Sequence, residues 1–208
     1  MSYQALIDDF LSVLNRDDCT ETQADTFLRQ GIARLQRDVR LPCMEREMDT
    51  TISTAGTSFI VLPSDLLQII DVFVTDSNSV NPRALTKKSY REVMAVATTE
   101  IPKVYGRYQN VIKIAGTLGV GAIVTILYYG SFSSLTSWSA DNEVTLGFAD
   151  VAVYGALPFA ADSFNHPSMA AWEQRYVALR DAIKGEAIDL EMTGGPQEVA
   201  TMYSEAYP

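Results

Sequence analysis

The sequence predicts an α+β fold that is mainly helical, with a four-helix bundle built from two N-terminal and two C-terminal helices. Three observations predict it: apolar residues at helical spacing near both ends, short β-branched runs between turn residues in the middle, and a Gly-Gly-Pro stop before the end. The middle runs predict a small inserted antiparallel β module, and the stop predicts an extended C-terminal tail. The predicted domains are 1–40 with 142–192 for the bundle, 41–141 for the β-rich insertion and 193–208 for the tail.

The composition indicates an ordered globular protein and argues against several functions. The chain has 208 residues, 47% of them hydrophobic, and a formal net charge of −10. Such acidity disfavours a protein that reads a DNA or RNA sequence, because those proteins neutralise phosphates with lysine and arginine. His166 is the single histidine, which removes most zinc sites. Cys19 and Cys43 do not form a disulfide framework, although one bridge between them stays open. We expect no metal and no cofactor.

The N-terminal region lacks a signal-peptide pattern, and the most apolar stretch, 120–129, is about half the length of a membrane span. A soluble intracellular protein is therefore expected.

Two amphipathic helices are predicted at the start of the chain. One covers residues 3–15, and Thr20 with Gln23 forms a capping box for the other, which reaches about Val39. The short break between them predicts antiparallel packing.

The middle of the chain predicts four to six short strands. The runs are 48–53, 58–62, 69–74, 102–106, 111–115 and 123–129. The first two are predicted to form a hairpin around Ala55-Gly56, and another hairpin is predicted around Gln109-Asn110. Residues 64–67 are predicted as one helical turn and residues 88–98 as a short helix.

Two further helices follow. Residues 142–163 are apolar almost all round, which is typical of a helix in a bundle centre. Pro167 is predicted at the first position of the last helix. That helix has a near-heptad row of large side chains, in which we expect Trp172 to lie in the core: Met169, Trp172, Tyr176, Leu179, Ile183 and Leu190.

Two sequence patterns that suggest a nucleotide-binding or catalytic site are better explained as parts of the fold without such a role. The glycine run 116–121 lacks the Lys-Ser/Thr and the following helix of a phosphate loop, so a hairpin loop is favoured. Asp162, Ser163 and His166 lie within one helical turn without a GxSxG elbow. A histidine held by a backbone carbonyl at a helix junction is therefore favoured over a hydrolase triad.

The second helix carries an arginine stripe with two explanations. One is that Arg29, Arg37 and Arg40 pair with Glu21, Asp25 and Asp38 as surface support. The other is that the stripe contacts an acidic surface on a neighbouring chain, with Arg29, Arg34 and Arg37 as the contact residues. Sequence alone does not decide between these alternatives.

The tail from 197 to 208 has no basic residue and is too short for a core, yet it holds Met202, Tyr203 and Tyr207. Aromatic residues at a flexible end often become ordered on a partner, so these three are predicted anchors. A disordered remnant is the alternative.

The order of these segments and their amino-acid sequences resemble those of a known family. The features are the arginine-bearing helix 27–40, the link Met44-Glu45-Arg46-Glu47, the strand 59–67 with its Leu-Pro-x-Asp, the strand 123–129 and the two closing helices. Together, over roughly 1–192, they resemble the head-to-tail adaptor proteins of tailed bacteriophages, also called connector or head-completion proteins.

The resemblance implies a structural virion protein and no enzyme. Such proteins form a ring, usually a dodecamer, under the portal protein and above the tail nozzle or tail tube. The ring links the DNA-filled head to the tail and lines the channel through which DNA passes at ejection, without sequence-specific binding and without a membrane. The implied location is the head–tail interface of the virion, and the host cytoplasm during assembly. The portal anchors would then be Met202, Tyr203 and Tyr207.

The acidity suits a channel, since like charge keeps DNA from adhering, and we expect Asp and Glu to outnumber Lys and Arg on its wall. Two alternatives remain. One is another neck or tail-completion structural protein, and the other, less favoured, is a small hydrolase or nucleotide-binding enzyme.

Overall fold

The computed structural model describes residues 1–77, 81–96 and 101–192. These residues form an α+β structure with two four-stranded sheets and six helices, 44% helix and 23% strand. The predicted fold class, a mainly helical four-helix bundle with a small β insertion, is therefore wrong. The chain divides into a helical unit, Met1–Arg40 with Leu135–Pro208, and a β unit, Leu41–Ser134. The predicted tail, 193–208, lies outside the described residues.

The β unit begins with a single 3-10 turn at Pro42–Met44 and contains a short helix, α3 (Tyr90–Ala95). Its strands are β1 (Glu45–Thr51), β2 (Phe59–Val61), β3 (Leu66–Thr75), β4 (Arg83–Ala84), β5 (Thr86–Lys87), β6 (Val104–Tyr108), β7 (Val111–Ile114) and β8 (Ile123–Gly130). Sheet 1 has the order β1-β8-β3-β4, and sheet 2 has the order β2-β7-β6-β5.

The fold class was mispredicted because strands that are distant in sequence pair with each other. β1 pairs with β8 and β2 pairs with β7, so the predicted hairpin around Ala55-Gly56 does not form. Gly56 does turn the chain, with φ of 82°, but it sends the two strands to different sheets. Alternating apolar residues specify which face of a strand is buried and not which strand lies beside it.

The remaining predictions for the β unit are confirmed in part. The hairpin of β6 and β7 is confirmed, with Gln109 at φ 52° in its turn, and β8 lies where predicted. The predicted helical turn 64–67 is wrong, because β3 already begins at Leu66. The module is not purely antiparallel either, since β5 runs parallel to β6.

The core of the β unit draws on both sheets. Its fully buried members include Val72, Val124 and Ile126 from sheet 1 and Ile60, Ile112 and Ile114 from sheet 2. Because side chains alternate along a strand, each sheet turns one face to this core and its other face outward. The two outward faces therefore lie on opposite sides of the core.

The helical unit contains α1 (Tyr3–Leu14), α2 (Glu21–Asp38), α4 (Glu143–Gly147), α5 (Ala149–Phe164) and α6 (Met169–Met192). Helices α1 and α2 confirm the two amphipathic helices predicted at the start of the chain, including the capping box of Thr20 and Gln23. The predicted helix 142–163 is instead broken at Phe148, whose φ of −135° and ψ of 31° are not helical. Pro167 precedes α6, which begins at Met169.

The central helix α5 is lined with small residues, and this lets its neighbours approach closely. A Cβ atom at Gly31 of α2 would lie 2.6 Å from the backbone nitrogen of Ala156 and 2.9 Å from the carbonyl oxygen of Ala152. On α5 itself, a Cβ at Gly155 would lie 3.1 Å from the Tyr176 ring of α6. Glycine is therefore a packing requirement at the crossing of α2 and α5.

We predict that Gly31→Ala lowers the free energy of unfolding by about 1–3 kcal/mol, because the backbone of α5 has no room to yield to the new methyl group. Gly185→Ala is the matched control, since a Cβ there meets nothing within 4 Å. The higher helix propensity of alanine should raise stability at that position by about 0.5–1 kcal/mol. Urea unfolding of both variants measures this, and equal effects at the two positions would contradict it.

Candidate interaction surfaces

The glycine run 116–121 is a connection between the sheets. It leads from β7 in sheet 2 to β8 in sheet 1, so the predicted hairpin loop is wrong. Gly116 and Gly121 adopt φ of 106° and 83°, and Leu118 between them is fully buried. A strand follows the run, whereas the phosphate sites of nucleotide-binding proteins use the start of a helix.

His166 lies between α5 and α6 as part of the helix junction. Its Nδ1 accepts a hydrogen bond from the Ser168 amide at 3.2 Å, so a backbone N–H, and not the predicted carbonyl, holds the ring. The imidazole stacks on Trp172, with ring centroids 4.6 Å apart. Trp172 is therefore half-buried against His166, and the prediction that it lies in the core is wrong. Tyr176, one turn further on, is fully buried.

Among the described residues, no group of three or more His, Cys, Asp or Glu side chains could hold a metal ion. Cys19 is buried, Cys43 is exposed, and neither forms a disulfide.

The three predicted arginines of α2 lie in different surroundings. Arg29 is exposed, and its Nε donates to both carboxylate oxygens of Asp25 at 3.0 Å, one helical turn away. Burial favours a higher pKa for Asp25, but the hydrogen bonds from Arg29 and Tyr3 outweigh it and lower the pKa. Arg37 is exposed in the last turn of the helix. Their contact with a neighbouring copy stays a prediction.

Arg34 joins α2 to α6. Its guanidinium forms a two-pronged ion pair with Glu173, one bond of which is 2.8 Å long, and lies 4.1 Å from the centroid of the Tyr176 ring. The Tyr176 hydroxyl donates to Asp38 at 2.7 Å, and Arg180 lies 3.8 Å from the same carboxylate. Arg34 therefore has its counter-ion within its own chain, whatever role it has toward other copies.

This cluster changes the acidity of its members. The hydrogen bond from Arg34 holds the pKa of Glu173 below its ordinary 4.5. Burial, reinforced by the hydrogen bond to Asp38, raises the pKa of Tyr176. Both shifts keep the cluster ionised and bonded near neutral pH, with Glu173 charged and Tyr176 protonated.

The outward face of sheet 1 is acidic. Glu47 of β1 and Asp71 of β3 flank Leu127 of the central strand β8, and in the next row Asp49 accepts a hydrogen bond of 2.6 Å from Thr125. We call Glu45, Glu47, Asp49 and Asp71 the acidic face; all four are exposed. Within the described part of the chain none of them forms a salt bridge, whereas Arg46, on the inward side of β1, pairs with Asp65 at 2.5 Å.

A hollow of about 310 Å³ opens on this acidic side. Its lining is largely apolar, with one carboxylate: Glu47, Phe73, Thr75, Pro82, Thr125 and Leu127.

The outward face of sheet 2 has the opposite character. Phe59 and Val61 of β2 and Tyr108 of β6 are 48%, 66% and 52% exposed. Lys113 of β7 pairs with Phe59 across the strands, and its ammonium lies 5.2 Å from that ring and 2.9 Å from the Met94 sulfur of α3. We call Phe59, Val61, Met94, Tyr108 and Lys113 the basic aromatic face.

Met202, Tyr203 and Tyr207, the predicted portal anchors, lie outside the described residues. Sequence reasoning missed both sheet faces. The alternation in Glu45-Arg46-Glu47-Met48-Asp49 was a usable signal for the acidic one, because it places three carboxylates on one side of a strand. No local pattern indicated the other, because residues of three strands and a helix compose it.

The architecture is that of a protein that works through its surfaces: two packed cores, opposed charged faces on one of them, and ion pairs that bind helices together. Residues 1–200 match the SU10 adaptor protein family. The chain belongs to this family of phage head-to-tail adaptors, and the resemblance seen in the sequence is confirmed. No match was found among curated proteins. Within the described residues, every helix is too short or too polar to cross a membrane.

We predict that Glu173→Gln lowers stability at neutral pH and flattens its acid dependence. Because the folded-state pKa of Glu173 lies below 4.5, the ion pair contributes fully above that pH, and its contribution is lost as the pH falls through the folded-state value. The difference between wild type and variant should therefore shrink under acid. Glu186→Gln, on the exposed side of the same helix, is the control and should show no such trend. Urea unfolding from pH 3 to pH 7 measures it; a constant difference would contradict the assignment.

Proposed function

We propose that the chain is a head-to-tail adaptor that forms a ring of twelve copies under the portal protein. The ring would join the portal to a tail nozzle or tail tube and line the channel used by DNA at ejection. The observation that carries the proposal is the family match over residues 1–200, which spans both units. A phage structural adaptor works with other virion components, and the portal and the tail are the partners on either side of such a ring.

Three features support a structural role. The oppositely charged side chains lie on two broad sheet faces, which are the kind of surface that binds a partner protein. The candidate triad residue His166 already accepts a hydrogen bond from the Ser168 amide and stacks on Trp172. The net charge of −10 per copy, repeated around an axis, would repel DNA and let it slide through. We therefore also propose that carboxylates outnumber cations on the channel wall and that the protein does not catalyse a reaction.

We propose that Met202, Tyr203 and Tyr207 insert into the portal, and that Arg29, Arg34 and Arg37 lie near contacts between copies. For Arg37 the support is its exposure at the end of α2. For Arg29 the support is that its side chain stays exposed although it pairs with Asp25 and lies 5.8 Å from the centroid of the Tyr3 ring. Arg34 would act indirectly, by fixing α6 against α2.

We predict that deleting 197–208 abolishes capture of this protein by the isolated portal, since the proposed anchors go with it. The described residues supply the buried cores of both units, so the Tm should stay within about 2 °C of the wild type. Capture on immobilised portal, followed by gel analysis, measures the effect.

Two matched double variants separate aromatic anchoring from charge. Tyr203→Ala with Tyr207→Ala should lose capture, whereas Glu198→Gln with Glu205→Gln should retain it. Undiminished capture of the truncated protein would contradict the anchor assignment. If the wild type binds tail-tube protein and no portal, the protein is a tail-completion protein.

We predict that His166→Ala lowers the free energy of unfolding by about 0.5–1.5 kcal/mol, because it removes the stacking on Trp172, and that it removes no enzymatic turnover. Urea unfolding tests the first part. Esterase and nucleotide-hydrolysis assays of both proteins test the second, and an activity of the wild type that the variant lacks would favour the hydrolase alternative.

A further inference from the structure

The acidic and the basic residues of the β unit lie in different segments of the sequence, and most of them lie on different sheets of the structure. Residues 45–76 contain six Asp or Glu and one Lys or Arg, a net charge of −5, whereas residues 86–114 contain six Lys or Arg and two Glu, a net charge of +4. The first segment supplies β1 to β3 and the second β5 to β7, so sheet 1 carries most of the acid and sheet 2 most of the base.

Among the described residues, neither charged face has counter-ions of its own. The carboxylates of the acidic face form no salt bridge there, and the neighbours of the Lys113 ammonium are the Met94 sulfur and the Phe59 ring. Lys87, Lys88, Arg91 and Lys103 of the same sequence segment are exposed, and Lys113 is partly exposed. In one copy the two faces lie on opposite sides of a shared core, so they cannot neutralise each other.

We propose that the acidic face of one copy binds the basic aromatic face of the next copy, so that the β units form the contacts between neighbours in the ring. This inference rests on the proposed function for its ring. The occupant of each face is a second copy of this chain because each face supplies what the other lacks. The hollow beside Glu47, lined by Phe73 and Leu127, suits an aromatic side chain with a cation next to it, as Phe59 and Lys113 present.

The geometry also selects the symmetry. Joining two identical faces would set carboxylate against carboxylate or cation against cation, which is unfavourable. A contact between unlike faces leaves a free acidic face at one end of each pair and a free basic face at the other. Such heterologous contacts close into rings when the rotation per copy divides a full turn.

A single-stranded nucleic acid is the competing occupant of the basic aromatic face, since bases stack on aromatic side chains and lysine meets phosphate. It would leave the acidic face without a partner, and a chain with a net charge of −10 repels it. The second copy is therefore favoured.

Site-specific disulfide formation tests the contact in the full-length protein. On a Cys43→Ser background, Glu47→Cys and Lys113→Cys are prepared separately, mixed, and oxidised both on the isolated portal and in concentrated solution. The mixture should give a cross-linked dimer under at least one condition, while each variant alone gives none, because unlike faces meet. Glu186→Cys mixed with Lys113→Cys is the control and should stay uncross-linked.

A charge reversal provides a second measurement. Lys113→Glu should lower the number of copies retained per portal about tenfold. Combining Lys113→Glu with Glu47→Lys should restore retention, since the two faces exchange charge. Thermal unfolding of each variant verifies that it is folded.

The outcomes separate this inference from the proposed function. Portal capture without any cross-link in the mixture overturns the contact and leaves the adaptor function standing. Cross-linking of the mixture without portal capture supports the contact and overturns the portal assignment. Self-cross-linking of Glu47→Cys alone would mean a symmetric contact and overturn the proposal. Binding of single-stranded DNA that Lys113→Glu abolishes, with no cross-link, would assign the face to nucleic acid.

Discussion

The β unit depends on the position of β8 between two partners. This strand bonds to β1 along one side and to β3 along the other, and its inward residues Val124 and Ile126 are fully buried. Their burial fixes the register, because a shift by one residue would move every inward side chain outward. The same shift in β1 or β3 would carry Glu47 or Asp71 into the core, where an unpaired carboxylate is very unfavourable. Packing on one side of sheet 1 thus dictates the acidic character of its other side.

Close approach of backbones plays the corresponding role in the helical unit. α5 is apolar and rich in small residues, so α2 comes near enough that Gly31 has no room for a Cβ atom. α6 is attached to α2 by charge as well as by packing, through Arg34, Glu173 and the buried ring of Tyr176. The Arg34 side chain is 20% exposed, against 56% for Arg29 in its pair with Asp25, so the guanidinium of Arg34 is better protected from water.

The arrangement suits a phage structural adaptor. Two separately packed cores present stable faces, and under the proposed contact a second copy supplies the counter-ions of the acidic face and the basic aromatic face. In the family of phage head-to-tail adaptors the useful property of such a chain is specific contact with other virion proteins. Opposed charges on the two sides of one sandwich would give the proposed contact between copies a direction, which a symmetric patch would not.

Local patterns determined much of this protein. The capping box at Thr20, the apolar spacing of α1 and α2, the turn at Gln109 and the β-branched run of β8 each depend on residues close in sequence, and all formed as predicted. The family resemblance also rested on such short sequence motifs, and it was confirmed. Tertiary structure alone decided which strands became neighbours, where Trp172 and Tyr176 lie, and that Arg34 meets Glu173. The physical reason is that alternation and helical spacing encode which side of an element is buried, while its partner depends on long-range packing of the whole chain.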